Sequence, residues 1–567
     1  MKGFRWLVAL AAMCTLLAAC GGSSSSTASG TGTSSKVVSS GTASGKLVVD
    51  NESGSTWTCQ FNPFNPAVTL VSFGWVYEPL EFVNILKTGS VTPWLATSST
   101  WSNGYKTLTF TIRNGVKWSD GQPFSAADVA YTFNAMKTDK AIDLNALWSA
   151  DGGPLTNVAQ NGNQVVLTFN APSQPYFYLV ADQTPIVPKH IWGALNQAKL
   201  SSYSDTHPVG TGPYEMSNCA PQNIKYLNNP SYWQSSPGHP IPQVKEVDYP
   251  AFLSNTPANL LLSQGGAQWG GQYIPNITGF YTSKDPAHRH YWFPPVLNVS
   301  LFPNLTNSLL GQLPVREAIS DAIDRQTVSR LGESGYQAPA NQSGVILPTY
   351  SAWSDPSLTQ TTYSAAKADQ ILSAAGFTKG SGGIYEKGGA PLSFTIKTIS
   401  GFSDWDASLQ LITQQLKAAG IQVTVQDENT SSYTSDLQSG HFQLAYGGSG
   451  GPAPSPGPSP YYELRGLLFS GNIGSTNYER FKSPSTDALF NQYSSASPSQ
   501  QVNIIHDIQK VMVDQVPLIP VTEGVDWYQY DTTHFSGWPT QSNPFAQPSP
   551  YQAPDLEVVL THLVPIQ

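Results

Sequence analysis

Residues 108–136 read LTFTIRNGVKWSDGQPFSAADVAYTFNAM, and the fold is decided in this stretch. Leu108, Phe110 and Ile112 alternate with Thr109, Thr111 and Arg113, the period-two pattern of a half-buried strand. Asp120-Gly121 and Pro123 mark turns. Ser125-Ala-Ala-Asp128 is a capping box, in which the Ser125 hydroxyl accepts from the Asp128 N–H and the Asp128 carboxylate reaches back. Val129, Phe133 and Met136 follow at helical spacing. Strand, tight turn and capped helix are therefore expected, with nothing catalytic among them.

Outward from this stretch, the 567 residues suffice for two to four domains. Only 11% are charged and the formal charge is −9, which excludes the basic surface of a nucleic-acid binder. At the start, Lys2 and Arg5 precede an apolar run from Trp6 to Ala19 that is short for a bilayer span. It ends in Leu17-Ala18-Ala19-Cys20, which resembles a bacterial lipobox. That resemblance implies a signal peptide over 1–19, acylation of Cys20 and a chain lipid-anchored on the outer face of the cell membrane. An ordinary secretory signal with an incidental cysteine is the alternative. Residues 20–45, rich in Ser, Gly and Thr, read as a flexible tether of about 25–30 Å. Cys59 and Cys219 remain; a pair in an exported chain suggests a disulfide, with two buried thiols as the alternative.

Further along, Lys46–Asp50, Gln164–Asn170, Leu297–Asn304, Leu392–Ile399, Ile421–Val425, Phe442–Tyr446 and Leu518–Thr522 read as strands. Helices are expected over Gly74–Leu86, Pro314–Leu331, Tyr363–Phe377, Asp406–Ala419 and Gln501–Val516. The strand-helix-strand run from Leu392 to Val425 implies a right-handed crossover in a mostly parallel sheet.

The opening stretch resembles the signature of family 5 extracytoplasmic solute-binding proteins, the peptide/nickel/oligosaccharide receptors of ABC importers. PVREAISDAIDR at 314–325 is similar to the helix that opens the family's third domain. His207–Trp233, with Gly210-Thr-Gly-Pro-Tyr214, resembles its re-entry into the first domain, and PIVPKHIW at 185–192 the close of its second. The resemblance implies an α/β periplasmic-binding-protein-like fold, two large hinged lobes with mixed sheets plus a smaller inserted lobe. Domain I would comprise 46–74, 204–296 and 521–567; domain II 75–203; domain III 297–520. It implies a monomeric receptor that delivers its solute to ABC permease subunits by hinge closure, with no cofactor, no chemistry and no nucleic-acid partner.

Candidate chemistry is sparse. Gly447-Gly-Ser449-Gly-Gly451 fits the G-x-S-x-G pattern of a serine hydrolase. The pattern leads into the proline-rich run 452–460, which cannot form the helix a nucleophile elbow needs, so a glycine loop beside a cleft is the better reading. His288 and His290 alone make a weak metal signal. The aromatics are more informative: Trp57, Trp75, Trp269, Trp405, Tyr446 and Tyr461 sit near glycines, turns or element ends. With Gly447 and the amide of Asn62 they form the candidate ligand-binding set, and Asn65 and Gln268 are further polar partners.

Peptide receptors of the family place an aspartate just after the strand corresponding to Phe442–Tyr446, to hold the peptide's ammonium. Here the segment AYGGSGGPAPSPGPSPYYELRG has no acid before Glu463. FNPF at 61–64, PSPYYELRGLLFS at 458–470 and GWPTQSNPFAQP at 537–548 are similar to the branch that takes cello-, xylo- or manno-oligosaccharides. An oligosaccharide is therefore expected ahead of an oligopeptide.

Overall fold

Three buried side chains, Leu108, Phe110 and Ile112, anchor the strand Thr107–Ile112, and each contributes about 1.5–3 kcal/mol by leaving water. The helix Ala126–Thr138 follows, N-capped by Ser125: the Ser125 amide donates to Asp128 Oδ2 at 2.9 Å while Ser125 Oγ accepts from the Ala127 amide at 3.2 Å. Val129, Phe133 and Met136 are buried on one face, as the spacing required. The computed structural model describes residues 45–52, 54–65, 71–87, 90–148, 153–233, 241–358, 362–448 and 457–566. The expected leader and tether before Gly45, with Cys20, and Ser449 lie outside the described residues.

Three main sheets organise the rest. The strand above belongs to an antiparallel four-stranded sheet in the order Ala96–Ser102, Thr107–Ile112, Gln164–Phe169, Leu155–Asn161. A seven-stranded sheet centres on Lys46–Glu52, which pairs in parallel with Glu246–Phe252 on one side and Trp269–Gly270 on the other. Asn223–Asn228 and Tyr214–Ala220 extend one edge; Gln529–Asp531 and Arg289–Tyr291 extend the other. A six-stranded mixed sheet runs Ala338–Pro339, Ile519–Val525, Pro295–Pro303, Leu444–Gly448, Ser393–Ile399, Gln422–Glu428. Its last two strands are parallel and joined by the helix Ser403–Ala418, the expected crossover unit. A disulfide joins Cys59 to Cys219, with their Cα atoms 5.7 Å apart.

Two helix readings fail. Gly74–Leu86 contains no helix: the segment turns and then forms the strand Glu81–Asn84. Trp75, Val76, Tyr77, Leu80, Phe82 and Val83 are all buried, so the run is apolar on every side and carries no helical period. Gly74 at φ +79° and Pro79 within the run also break a helix. The helix expected over Pro314–Leu331 spans only Leu313–Asp321. Asp324 then caps a new turn, accepting from the Thr327 amide at 3.1 Å, and a π-turn covers Val328–Gly332. The interruption lets Arg325 turn inward, where it donates to the Pro520 carbonyl at 2.7 Å. The strand expected at Leu518–Thr522 is Ile519–Val525, the second strand of the six-stranded sheet, and the chain next enters the seven-stranded sheet at Gln529–Asp531.

Candidate functional site

Among the described residues, the chain passes between the seven- and six-stranded sheets at two places, 292–294 and 526–528. These segments lie antiparallel: the Trp292 amide donates to the Tyr528 carbonyl at 3.1 Å and the Asp526 amide to the Pro294 carbonyl at 2.9 Å. Phe293 and Trp527 stack edge-on at 4.9 Å, with Tyr273 5.4 Å from Trp527 and Tyr336 6.1 Å from it. Two short backbone crossings can absorb a rotation of one sheet body against the other by changes at a few residues.

Beside this hinge the two bodies meet along a seam, where Asn255 Nδ2 donates to the Tyr273 carbonyl at 3.2 Å. The Asn255 amide donates to the Gly401 carbonyl at 3.1 Å, and Asn255 Oδ1 accepts from the Ser403 amide at 3.1 Å. Gly401 has φ +90°, and a Cβ there would stand 2.1 Å from the Leu253 carbonyl oxygen, so only glycine permits this approach. The seam is shut in this structure.

Behind it lies the end of the strand Leu444–Gly448. The half-buried ring of Trp405 packs 5.0 Å from Phe402 and 6.1 Å from fully buried Tyr446. Tyr433 Oη donates to the Tyr446 carbonyl at 3.1 Å. A Cβ on Gly447 would come within 2.7 Å of Tyr433 Oη and 3.2 Å of Trp405, which is why this position has no side chain. Beneath Trp405, Glu333 and Asp404 are buried together, and Ser408 Oγ donates to Glu333 Oε1 at 2.6 Å. Burial pushes Asp404 up to about 7, and burial with the Asp404 charge pushes Glu333 well above the carboxylate range. Rings and buried carboxyl groups, whose charged forms burial disfavours, therefore flank this end of the strand.

The structure thus brings Trp405, Tyr446 and Gly447 together. The other expected ligand contacts stand apart, each enclosed by its own surroundings. Trp57 donates from Nε1 to the Tyr249 carbonyl at 2.8 Å, and Trp75 stacks on Tyr226 at 4.9 Å, both in the core beside the seven-stranded sheet. Asn62 Nδ2 donates to the Leu200 carbonyl at 2.9 Å, and its Oδ1 accepts from the Phe64 amide at 3.0 Å. Gln268 Oε1 accepts from the Val48 amide at 3.0 Å. Trp269 Nε1 donates to the Pro548 carbonyl at 2.8 Å, and Tyr461 stacks on Tyr493 at 4.2 Å. Sequence reasoning missed Asn255, Tyr273, Glu333 and Gly401. Gly401, a glycine between a strand and a helix, was the one legible signal.

The hydrolase and metal patterns gain nothing from the geometry. Ser449 lies outside the described residues, and among the described residues the next helix after Gly447 begins at Pro460. His288 Nδ1 lies 2.9 Å from Asp285, and the His290 ring packs 5.1 Å from Tyr530. Among the described residues, no three His, Cys, Asp or Glu side chains form a group able to hold a metal ion, and no helix is long and apolar enough to cross a membrane.

Comparison with known proteins agrees with this architecture. The model of the bacterial extracellular solute-binding proteins, family 5 Middle, matches residues 90–466. The nickel-binding periplasmic protein of Escherichia coli (strain K12) is 25% identical over 409 residues, 70% of this chain and 75% of that protein. A periplasmic oligopeptide-binding protein of an oligopeptide ABC transporter from Thermotoga maritima, solved with mannohexaose bound, superimposes with a TM-score of 0.83 at 22% identity. The superposition covers 92% of this chain and 99% of that one. The oligopeptide-binding protein AppA of Bacillus subtilis, in complex with a nonapeptide, gives 0.77 at 23% identity over 92% and 99% of the two chains. With two sheet bodies, two crossings and a family model spanning most of its length, this chain belongs to the bacterial extracellular solute-binding proteins of family 5.

Proposed function

We propose that this protein is a lipid-anchored receptor that captures an oligosaccharide between its two large lobes and presents it to an ABC import permease. The lobes follow the seven- and six-stranded sheets, and the four-stranded sheet forms the inserted lobe. Solute binding shifts the population from open to closed by as much as its affinity differs between the two states. The observation that carries the reading is the paired crossing at 292–294 and 526–528, beside a seam held by Asn255 and Gly401. Trp405 offers a flat apolar face beside backbone amides at Gly447 and Gly448, the pairing of surfaces that a hydroxyl-rich neutral ligand needs.

The oligosaccharide preference draws support from the missing acid between Tyr446 and Glu463. The relative with mannohexaose bound is consistent with this choice, and the relative with a nonapeptide keeps oligopeptide as the second reading.

A thermal-shift screen decides between them. Cello-, xylo- and manno-oligosaccharides are tested beside a mixed tri- to pentapeptide library. At a hundredfold excess over Kd, a ligand stabilises by about 2.7 kcal/mol and raises the melting temperature measurably. Oligosaccharides are expected to do so; a rise with peptides alone overturns the solute assignment. Turnover of an oligosaccharide or ester, lost on Ser449→Ala, would overturn the receptor reading itself.

A further inference from the structure

We propose that this receptor is built for acid surroundings, its folded state taking up protons at clustered buried carboxyl groups where a neutral-pH protein would place ion pairs. Three clusters carry the inference. Glu78 and Glu557 are both 0% exposed, and one indole nitrogen, Trp94 Nε1, lies 2.9 Å from an oxygen of each. Trp233 Nε1 donates to Glu78 at 3.0 Å, and Tyr232 Oη to Glu557 at 3.3 Å. Arg113 is the charged group facing this pair, its guanidinium 4.5 Å above the Trp233 ring rather than on either carboxyl.

Glu333 and Asp404 make the second cluster, at the seam, faced by Ser408, Tyr273, Tyr446 and Asp406. Glu333 Oε2 and Asp404 Oδ1 are buried with no hydrogen-bond partner, and a proton held by the pair is what such oxygens lack. Asp182, Asp526 and Asp555 make the third, next to the hinge. Gln183 donates to Asp182 at 2.6 Å, Gln552 to Asp526 at 2.5 Å and the Gln547 amide to Asp555 at 2.6 Å; Tyr178 also faces this cluster. Among the described residues, no Lys, Arg or His forms an ion pair with any of these carboxyls.

Composition points the same way. Charged residues are 11% of the chain, against about 25% in an ordinary globular protein. With carboxylates protonated in acid, the positive charge left to repel itself is limited to 28 Lys and Arg and 9 His. Burial holds Asp182, Asp404 and Asp526 at about 7, Glu333, Asp555 and Glu557 well above their ordinary values, and raises Glu78. Between the unfolded value near 4 and the folded value near 7, the folded chain binds more protons than the unfolded one. Each such group then weakens the folding equilibrium about tenfold for every pH unit gained in that window.

The test is urea unfolding of the full chain, without solute, from pH 4 to 8.5 at fixed ionic strength, so its outcome is independent of what the receptor carries. The midpoint is expected to be highest near pH 4, to fall steadily to about pH 7 and to fall more gently above, where only the groups held higher still release protons. A midpoint that is level or rises from pH 4 to 7 overturns the proposal. Glu557→Gln and Asp404→Asn, each with a permanently neutral amide, should each remove about tenfold per pH unit from that fall. If both fold and the fall is unchanged, the named clusters are not its source and the proposal is wrong. If either fails to fold, the wild-type profile and the other variant decide.

Discussion

The core beside the seven-stranded sheet and the seam around Trp405 are both rich in rings, yet they are built differently. In the core, Trp57 and Trp75 surround Tyr249, with ring centroids 4.9 and 5.4 Å away, and Asn62 has both ends of its amide engaged. At the seam, Trp405 is only half covered and Gly401 holds a left-handed backbone against the other body. Unpartnered buried carboxyl oxygens do not separate the two regions: Glu333 Oε2 and Asp404 Oδ1 carry them at the seam, and both oxygens of Asp50 carry them in the seven-stranded sheet. A ring enclosed on every side serves the core, whereas a half-covered ring beside a hinge is left for a solute. Aromatic content alone therefore does not mark a ligand site; incomplete coverage beside a hinge does.

The sharpest way to break that contrast is to truncate one ring on each side. Trp75→Ala should cost about 3–5 kcal/mol in urea unfolding, because the ring is fully enclosed. Trp405→Ala should cost far less stability but weaken oligosaccharide binding about tenfold, measured by titration calorimetry. Equal stability losses at the two sites would erase the distinction. Next in size, removing the Cys59–Cys219 disulfide as the double serine variant should cost about 2–5 kcal/mol, since it closes a long loop. Solute affinity at full folding should stay unchanged, because that bridge lies in the core half.

Gly401→Ala sharpens the seam side. The left-handed backbone should cost about 1 kcal/mol of urea stability with or without solute, and the clash with the Leu253 carbonyl adds a further cost to closure. Affinity for oligosaccharide then falls by more than the stability loss alone accounts for. The smallest expected effect is Ser125→Ala, about 1 kcal/mol of stability from the lost helix cap, with no effect on binding.

Legibility in the sequence followed the range of the contacts. The 108–136 stretch was readable because strand alternation, turn residues and capping box are all local, and the parallel unit from Leu392 to Val425 was readable for the same reason. Gly74–Leu86 was misread because a segment buried on all sides loses the polar face that defines a period. The helix from Leu313 was overextended because its break depends on Arg325 reaching a carbonyl nearly two hundred residues away. The candidate site was the least readable part. Its components come from Asn255, Tyr273, Glu333, Gly401–Trp405 and Tyr446–Gly448, brought together only by the crossing strands. Proximity to glycine picked out Trp405, Tyr446 and Gly447, but it also picked out rings that serve the core.

Hinge closure on a solute is tested most directly by the distance across the seam. Spin labels at Leu253→Cys and Ser432→Cys would sit on exposed positions of the two opposing lips. With the oligosaccharide that most raises the melting temperature, the account predicts one short, narrow distance; without it, a longer and broader distribution. The same distribution with and without bound solute would contradict it.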